Sequence, residues 1–167
     1  MSKKIYKKYT KKQITKPSDN LSSATYLIIV ESPSKCAKIE SYLGTNYCCI
    51  SSKGHIRSVN GLKSIDTKNS FEPTFTELTE KKDHIVFMKQ TISKFSNENI
   101  ILATDDDREG EAIAWHICEQ FGLSVETTPR IIFHEVTKNA LLKAIKTPTI
   151  INLDLVKAQH ARQVFKN

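Results

Sequence analysis

Two short apolar runs, Tyr26-Leu27-Ile28-Ile29-Val30 and Ile100-Ile101-Leu102-Ala103, give way abruptly to carboxylates: Glu31 after the first, and Asp105, Asp106, Asp107, Glu109 and Glu111 after the second. A continuous apolar run of this length fits a strand buried on both faces, as in a parallel sheet covered by helices. Beyond each run the pattern turns helical. Ser32 can cap the first helix, Pro33 suits its opening position, Ile39, Tyr42 and Leu43 give it an inward stripe, and Gly44 ends it. The second helix, from Glu111 to Phe121, carries Ile113, Ile117 and Phe121 at helical spacing, with Gly122 where a C-cap glycine belongs. Both sets of carboxylates should therefore sit on one edge of one sheet, at the C-terminal strand ends where open α/β sheets bind ligands.

The second set is crowded, with Arg108 the one basic residue among five acids. Two carboxylates ~4 Å apart repel by roughly 4 kcal/mol at an effective dielectric of about 20, so such a cluster must take up protons, splay into water or bind a cation. A divalent cation answers all three pressures, and a solvated acidic loop is the bland alternative. A calcium-binding EF-hand loop would match Asp105, Asp107, Glu109 and Gly110, but it needs a glutamate where His116 stands and a helix where residues 100–103 read as a strand. Glu31 alone would be an ordinary turn residue. Beside a metal cluster it becomes a candidate general acid or base.

The strings Glu31-Ser32-Pro33-Ser34-Lys35, Gly54-His55-Ile56-Arg57, Asp105 to His116, Phe133-His134-Glu135-Val136-Thr137 and Ala158-Gln159-His160-Ala161-Arg162, in that order, resemble the Toprim domain of type IA DNA topoisomerases. The likeness covers about residues 25–167. Phe71-Glu72-Pro73 followed by Lys81-Lys82 is more similar to the bacterial topoisomerase I branch than to topoisomerase III. Members of the family cut one DNA strand with a tyrosine, pass another strand through the gap and reseal it without ATP. The resemblance implies proton transfer for Glu31, phosphate contact for Lys35, Mg²⁺ ligation for Asp105, Asp107 and Glu109, and DNA contact near the cleavage site for Arg162. Arg108 is expected to steady the acidic cluster. Asp106 falls at a variable position and is left out of the ligand set. Gln163 and Lys166 depart from the family pattern, which usually has arginine and aspartate there. The five tyrosines, Tyr6, Tyr9, Tyr26, Tyr42 and Tyr47, all precede the middle of the chain, and none matches the family's downstream nucleophile. On this reading the chain is the front part of a larger enzyme, inactive alone and completed by domains that carry the tyrosine.

Composition is consistent with one domain able to bury a core: 167 residues, 39% hydrophobic. No run is long and apolar enough to span a membrane, and the basic start lacks the apolar segment of a signal peptide. Cys36, Cys48, Cys49 and Cys118 have no metal-type spacing, so a reduced, intracellular chain is expected, in the cytoplasm or with the nucleoid. Cys36, near a helix start and beside Lys35, reads first as an inert small residue. The first 16 residues hold seven lysines and no acid, accounting for the whole net charge of +7. Such a tail suits non-specific phosphate attraction, nuclear targeting or plain solvation alike. Arginine is scarce in this lysine-rich chain, and Arg57, Arg108, Arg130 and Arg162 all fall in or beside the family strings. Their planar forks can hold phosphate or carboxylate bidentately.

The expected fold is α/β, a Rossmann-like Toprim domain with about four mainly parallel strands near residues 26–30, 47–51, 99–103 and 130–133 and helices on both faces. Thr137 should cap a helix turning Ala140, Leu141, Ala144 and Ile145 inward. The division expected is a basic flexible tail over 1–24, the Toprim domain over 25–150, with a loop-rich insertion at 57–82, and the start of a helical connection over 151–167. A metal-dependent Toprim nuclease and a non-catalytic DNA-binding module are the alternative functions.

Overall fold

A computed structural model describes residues 18–59 and 74–166. Most of the basic tail, Tyr6, Tyr9 and Phe71-Glu72-Pro73 lie outside the described residues. Three strands form a parallel sheet: β1 (Tyr26–Val30) in the centre, β2 (Tyr47–Ser51) on one side and β5 (Ile100–Leu102) on the other. Ile28 pairs with both Cys49 and Ile101, so β1 is bonded along both edges. A separate antiparallel pair joins β3 (Arg57–Val59) to β4 (Phe75–Glu77). The helices are α1 (Cys36–Leu43), α2 (Lys82–Ile92), α3 (Arg108–Phe121), α4 (Lys138–Lys146) and α5 (Leu153–Lys166).

The period-2 geometry of the strands sorts the core into two layers. Leu27, Ile29, Cys48, Ile50, Ile100 and Leu102 face Met88 of α2, Ile113 and Ile117 of α3 and Val156 of α5. Ile28, Val30, Cys49 and Ile101 face Ile39 of α1 and Leu141 and Ala144 of α4. Helices thus cover both faces, which explains why the strands are apolar throughout rather than alternating. The α/β Toprim-like fold is as the sequence implied.

Details differ, each for a local reason. The expected fourth strand is reduced to one parallel bridge, Leu102 to Arg130, and Arg130 also bridges Thr149 in antiparallel sense. The ladder stops because the next carbonyls along the chain, Thr104 O and Asp105 O, accept from the Arg130 guanidinium instead of from a partner strand. Within the expected loop-rich insertion at 57–82, the described residues include β3, β4 and a 3-10 turn, Thr79–Lys81. Helix α2 has no counterpart among the sequence expectations. Its buried Ile85, Met88 and Ile92 lie at i, i+3 and i+7, the spacing that could have revealed it.

Ser32 makes no capping bond. Its hydroxyl pairs with that of Ser34 at 2.8 Å, and Pro33 opens a 3-10 turn before α1 begins at Cys36. Thr137 does cap α4, accepting from Ala140 N at 3.2 Å. Gly122 ends α3 in the left-handed conformation, φ 70°. The end of the expected tail is tied down: Ser18 Oγ donates to the Glu40 carboxylate at 2.6 and 2.7 Å, and Asn20 Nδ2 to Tyr47 O at 3.0 Å. Helix α5 packs along α3 with Val156 in the core.

Candidate active site at the strand ends

Glu31 emerges from the end of β1 half-buried. Its Oε1 accepts from the Asp105 backbone N–H at 2.8 Å, joining the two sets of carboxylates across 74 residues of chain. Burial first, and then the negative charges of Asp105, Asp107 and Glu109, raise its pKa above the usual 4.5, against the lowering effect of the Asp105 N–H. A carboxyl of this kind holds a proton more readily than an ordinary glutamate.

The acidic turn is built from behind. Asp107 is the N-cap of α3, accepting from Gly110 N at 2.6 Å, and Thr104 Oγ1 donates to Gly110 O at 2.7 Å. Only glycine fits at 110. A Cβ there would stand 1.9 Å from Asp105 O. Arg130, fully buried, donates from Nη1 to Thr104 O (2.9 Å), from Nη2 to Asp105 O (2.8 Å) and from Nε to Glu111 Oε1 (2.9 Å). Glu111 in turn accepts from Asn152 N at 3.0 Å, just before α5. The steadying role expected of Arg108 therefore falls to Arg130. Arg108 itself is exposed and enters no hydrogen bond or ion pair among the described residues. The one sign of Arg130 in the sequence is its rarity, an arginine in a lysine-rich chain.

Three of the turn's exposed carboxylates each meet a cation or potential cation. Lys35 Nζ is 3.3 Å from Asp105 Oδ1, His55 Nε2 is 2.9 Å from Glu109 Oε1, and His134 Nε2 is 3.6 Å from Asp106 Oδ2. His55 reaches Glu109 because Lys53 and Gly54, at φ 54° and 80°, bend the chain sharply after β2, with Gly54 N donating to Glu31 O at 3.1 Å. A cavity of about 500 Å³ opens beside them, bordered by His55, Arg57, Glu109, Gln159, Arg162 and Gln163. The structure thus brings Glu31, Lys35, Asp105 and Glu109 together and sets Arg162 on the rim of the adjoining cavity.

Among the described residues, no three histidine, cysteine or acidic side chains converge as a ready-made metal cage. The donor chemistry still suits a hard cation. Asp105 and Glu109 offer carboxylate oxygens held only by exposed or half-exposed partners, whereas Asp107 is engaged as a helix cap. Mg²⁺ characteristically takes one or two carboxylates and keeps several waters, so it needs no closed cage.

The Toprim domain family matches residues 26–136. DNA topoisomerase 1 from Helicobacter pylori strain ATCC 700392 / 26695 is 44% identical over 143 residues, covering 83% of this chain and 19% of that protein. Its counterpart from strain J99 / ATCC 700824 is 42% identical over 145 residues, covering 84% and 19%. Full-length topoisomerase I from Thermotoga maritima has a similar structure, with TM-score 0.72 and 36% identity over 83% of this chain and 23% of that one. The chain belongs to the Toprim family, and its Toprim domain is of the kind found in bacterial type IA topoisomerases. It spans 19% of the length of the two Helicobacter relatives.

Proposed function

We propose that this chain is the cation- and phosphate-handling part of a type IA DNA topoisomerase active site, acting on a single-stranded DNA segment with a tyrosine supplied from elsewhere in the enzyme. The supporting observation is the bond from Asp105 N–H to Glu31 Oε1, which keeps a proton-retaining carboxyl beside the acidic turn. Glu31 moves a proton at the scissile phosphodiester. Lys35 exchanges Asp105 for a phosphate oxygen, and Arg108 and Arg162 add positive charge for the strand. Asp105, Asp107 and Glu109 hold Mg²⁺, directly or through its waters, Asp107 leaving its cap to do so. When bound, the ion stabilises negative charge developing on the phosphate oxygens.

Binding of a short single-stranded oligonucleotide, with and without Mg²⁺, tests this reading. Mg²⁺ should strengthen binding, because the acidic turn repels phosphate until a cation intervenes. Asp105→Asn should weaken Mg²⁺ binding in a calorimetric titration and reduce the Mg²⁺ dependence of DNA binding. Equal Mg²⁺ affinity for the two proteins would remove the metal assignment.

A further inference from the structure

Away from the strand-end carboxylates, a second cavity of about 540 Å³ lies at the β2 edge of the sheet between α1 and α2, and Cys36 and Cys49 both border it. Cys36 is the first residue of α1 and half-buried, while Cys49, 3% exposed, sits in the middle of β2. Both belong to the same apolar layer, where each thiol lies close enough to perturb the other's titration. Cys48 projects into the opposite layer, as period-2 geometry requires, and Cys118 lies in that layer too. Only one of the four cysteines can therefore meet Cys36 on its own side of the sheet.

We propose that Cys36 and Cys49 form a redox-active thiol pair, oxidised by a hydroperoxide to an intrachain disulfide that ties the start of α1, immediately after Lys35, to β2. In the first step the Cys36 thiolate attacks a peroxide oxygen. The O–O bond breaks, the departing oxygen takes a proton as water, and Cys36 becomes a sulfenic acid. In the second, the Cys49 sulfur attacks the Cys36 sulfur, the S–O bond breaks, and a second water leaves with the Cys49 proton. Two thiols together lose two electrons and two protons, and one hydrogen peroxide becomes two waters.

The two thiols are unequal, and Cys36 is the better first nucleophile. The neighbouring Cys49 thiol lowers the Cys36 pKa, against the opposing effects of burial and Glu40, and Cys36 raises that of Cys49. Cys48 and Cys118 are pushed up to about 11 and about 12, chiefly by burial, and lie in the opposite layer, away from Cys36. The cavity gives a small oxidant access to Cys36. Lys35, whose Nζ contacts Asp105, directly precedes Cys36, so the disulfide would restrain the segment that carries it.

The test treats the folded chain with hydrogen peroxide, blocks remaining thiols by alkylation, and maps the peptides without reduction. The expected product is a Cys36–Cys49 cross-link that dithiothreitol reverses, with Cys48 and Cys118 alkylated only after unfolding. Cys48→Ser should keep the cross-link. Cys49→Ser should lose it and leave a Cys36 sulfenic acid that dimedone traps. A cross-link through Cys48 or Cys118, a disulfide between two chains, Cys36 oxidation without cross-linking in the unmutated chain, or no oxidation at all would each overturn the proposal.

Discussion

The Arg130 guanidinium and the Glu111 carboxylate meet at 2.9 Å inside the core, their side chains 0% and 3% exposed. Removing one member strands the other's charge in a low-dielectric interior, which typically costs about 3–5 kcal/mol. Arg130→Met and Glu111→Gln should each lower the urea midpoint steeply. The double variant should lose less than the two single losses combined, because no unpaired charge remains. Strictly additive losses would show that the two side chains do not act as a unit.

Acid should destabilise the fold from an unusually high pH. His116, which accepts from Arg57 Nε at 3.0 Å, is held down at about 2 by burial and then by the charges of Arg57, His160 and His55. Burial, and then Arg57, hold His160 at about 4. Both pKa values lie below the ordinary 6.5, so each residue contributes stability that is complete above that pH and declines as protons bind the unfolded chain. Two such groups give a slope of up to about 2.7 kcal/mol per pH unit between pH 6 and 4, and below that only His116 continues. Glu31, raised from 4.5, works in the opposite sense near the bottom of this window. Thermal unfolding from pH 7 to 4 should show a steep fall for the unmutated chain and a shallower one for His116→Gln or His160→Gln. Parallel curves would contradict the assignment.

Gly110→Ala separates helix propensity from close approach. In an open helix the change would gain about 1 kcal/mol. Here the new Cβ would collide with Asp105 O at 1.9 Å, so α3 or the acidic turn must shift. A net loss of roughly 1–3 kcal/mol is expected, with weaker Mg²⁺ binding alongside it. A variant more stable than the parent would mean the turn yields freely.

The nucleophile is the subject of the fourth prediction. Supercoiled plasmid incubated with this chain and Mg²⁺ should emerge without change in linking number and without a protein–DNA covalent adduct. Relaxed topoisomers from pure protein would assign a tyrosine within the chain, and nicked circles would favour the metal-dependent nuclease.

The strand ends are readable in the sequence because their signals are local: an apolar run, then an acid, then a helical stripe. Glu31, Asp105 and Glu109 can be assigned to one edge without any knowledge of distances. The β3–β4 pair is not readable, since its three-residue strands are too short to display alternation and are anchored by Phe75 against Trp115, His116 and His160, which lie far along the chain. Arg130 escapes for a similar reason. Two of its three partners are backbone carbonyls 25 and 26 residues upstream, and a carbonyl leaves no mark in the sequence. The same limit hides the Cys36–Cys49 contact, which depends on how α1 lies against β2.

The Arg130 bonds to the carbonyls of Thr104 and Asp105 divide the acidic turn into a fixed frame and exchangeable fittings. Its backbone is clamped from the interior, while Asp105, Asp106 and Glu109 meet their partners at the surface, where ion pairs are worth about 0–1 kcal/mol each. An arriving ligand can then swap one contact at a time without remodelling the chain beneath. Such a turn has a small reorganisation energy, and exchange of its bound ions should be limited by side-chain rotation and loss of water rather than by any folding step.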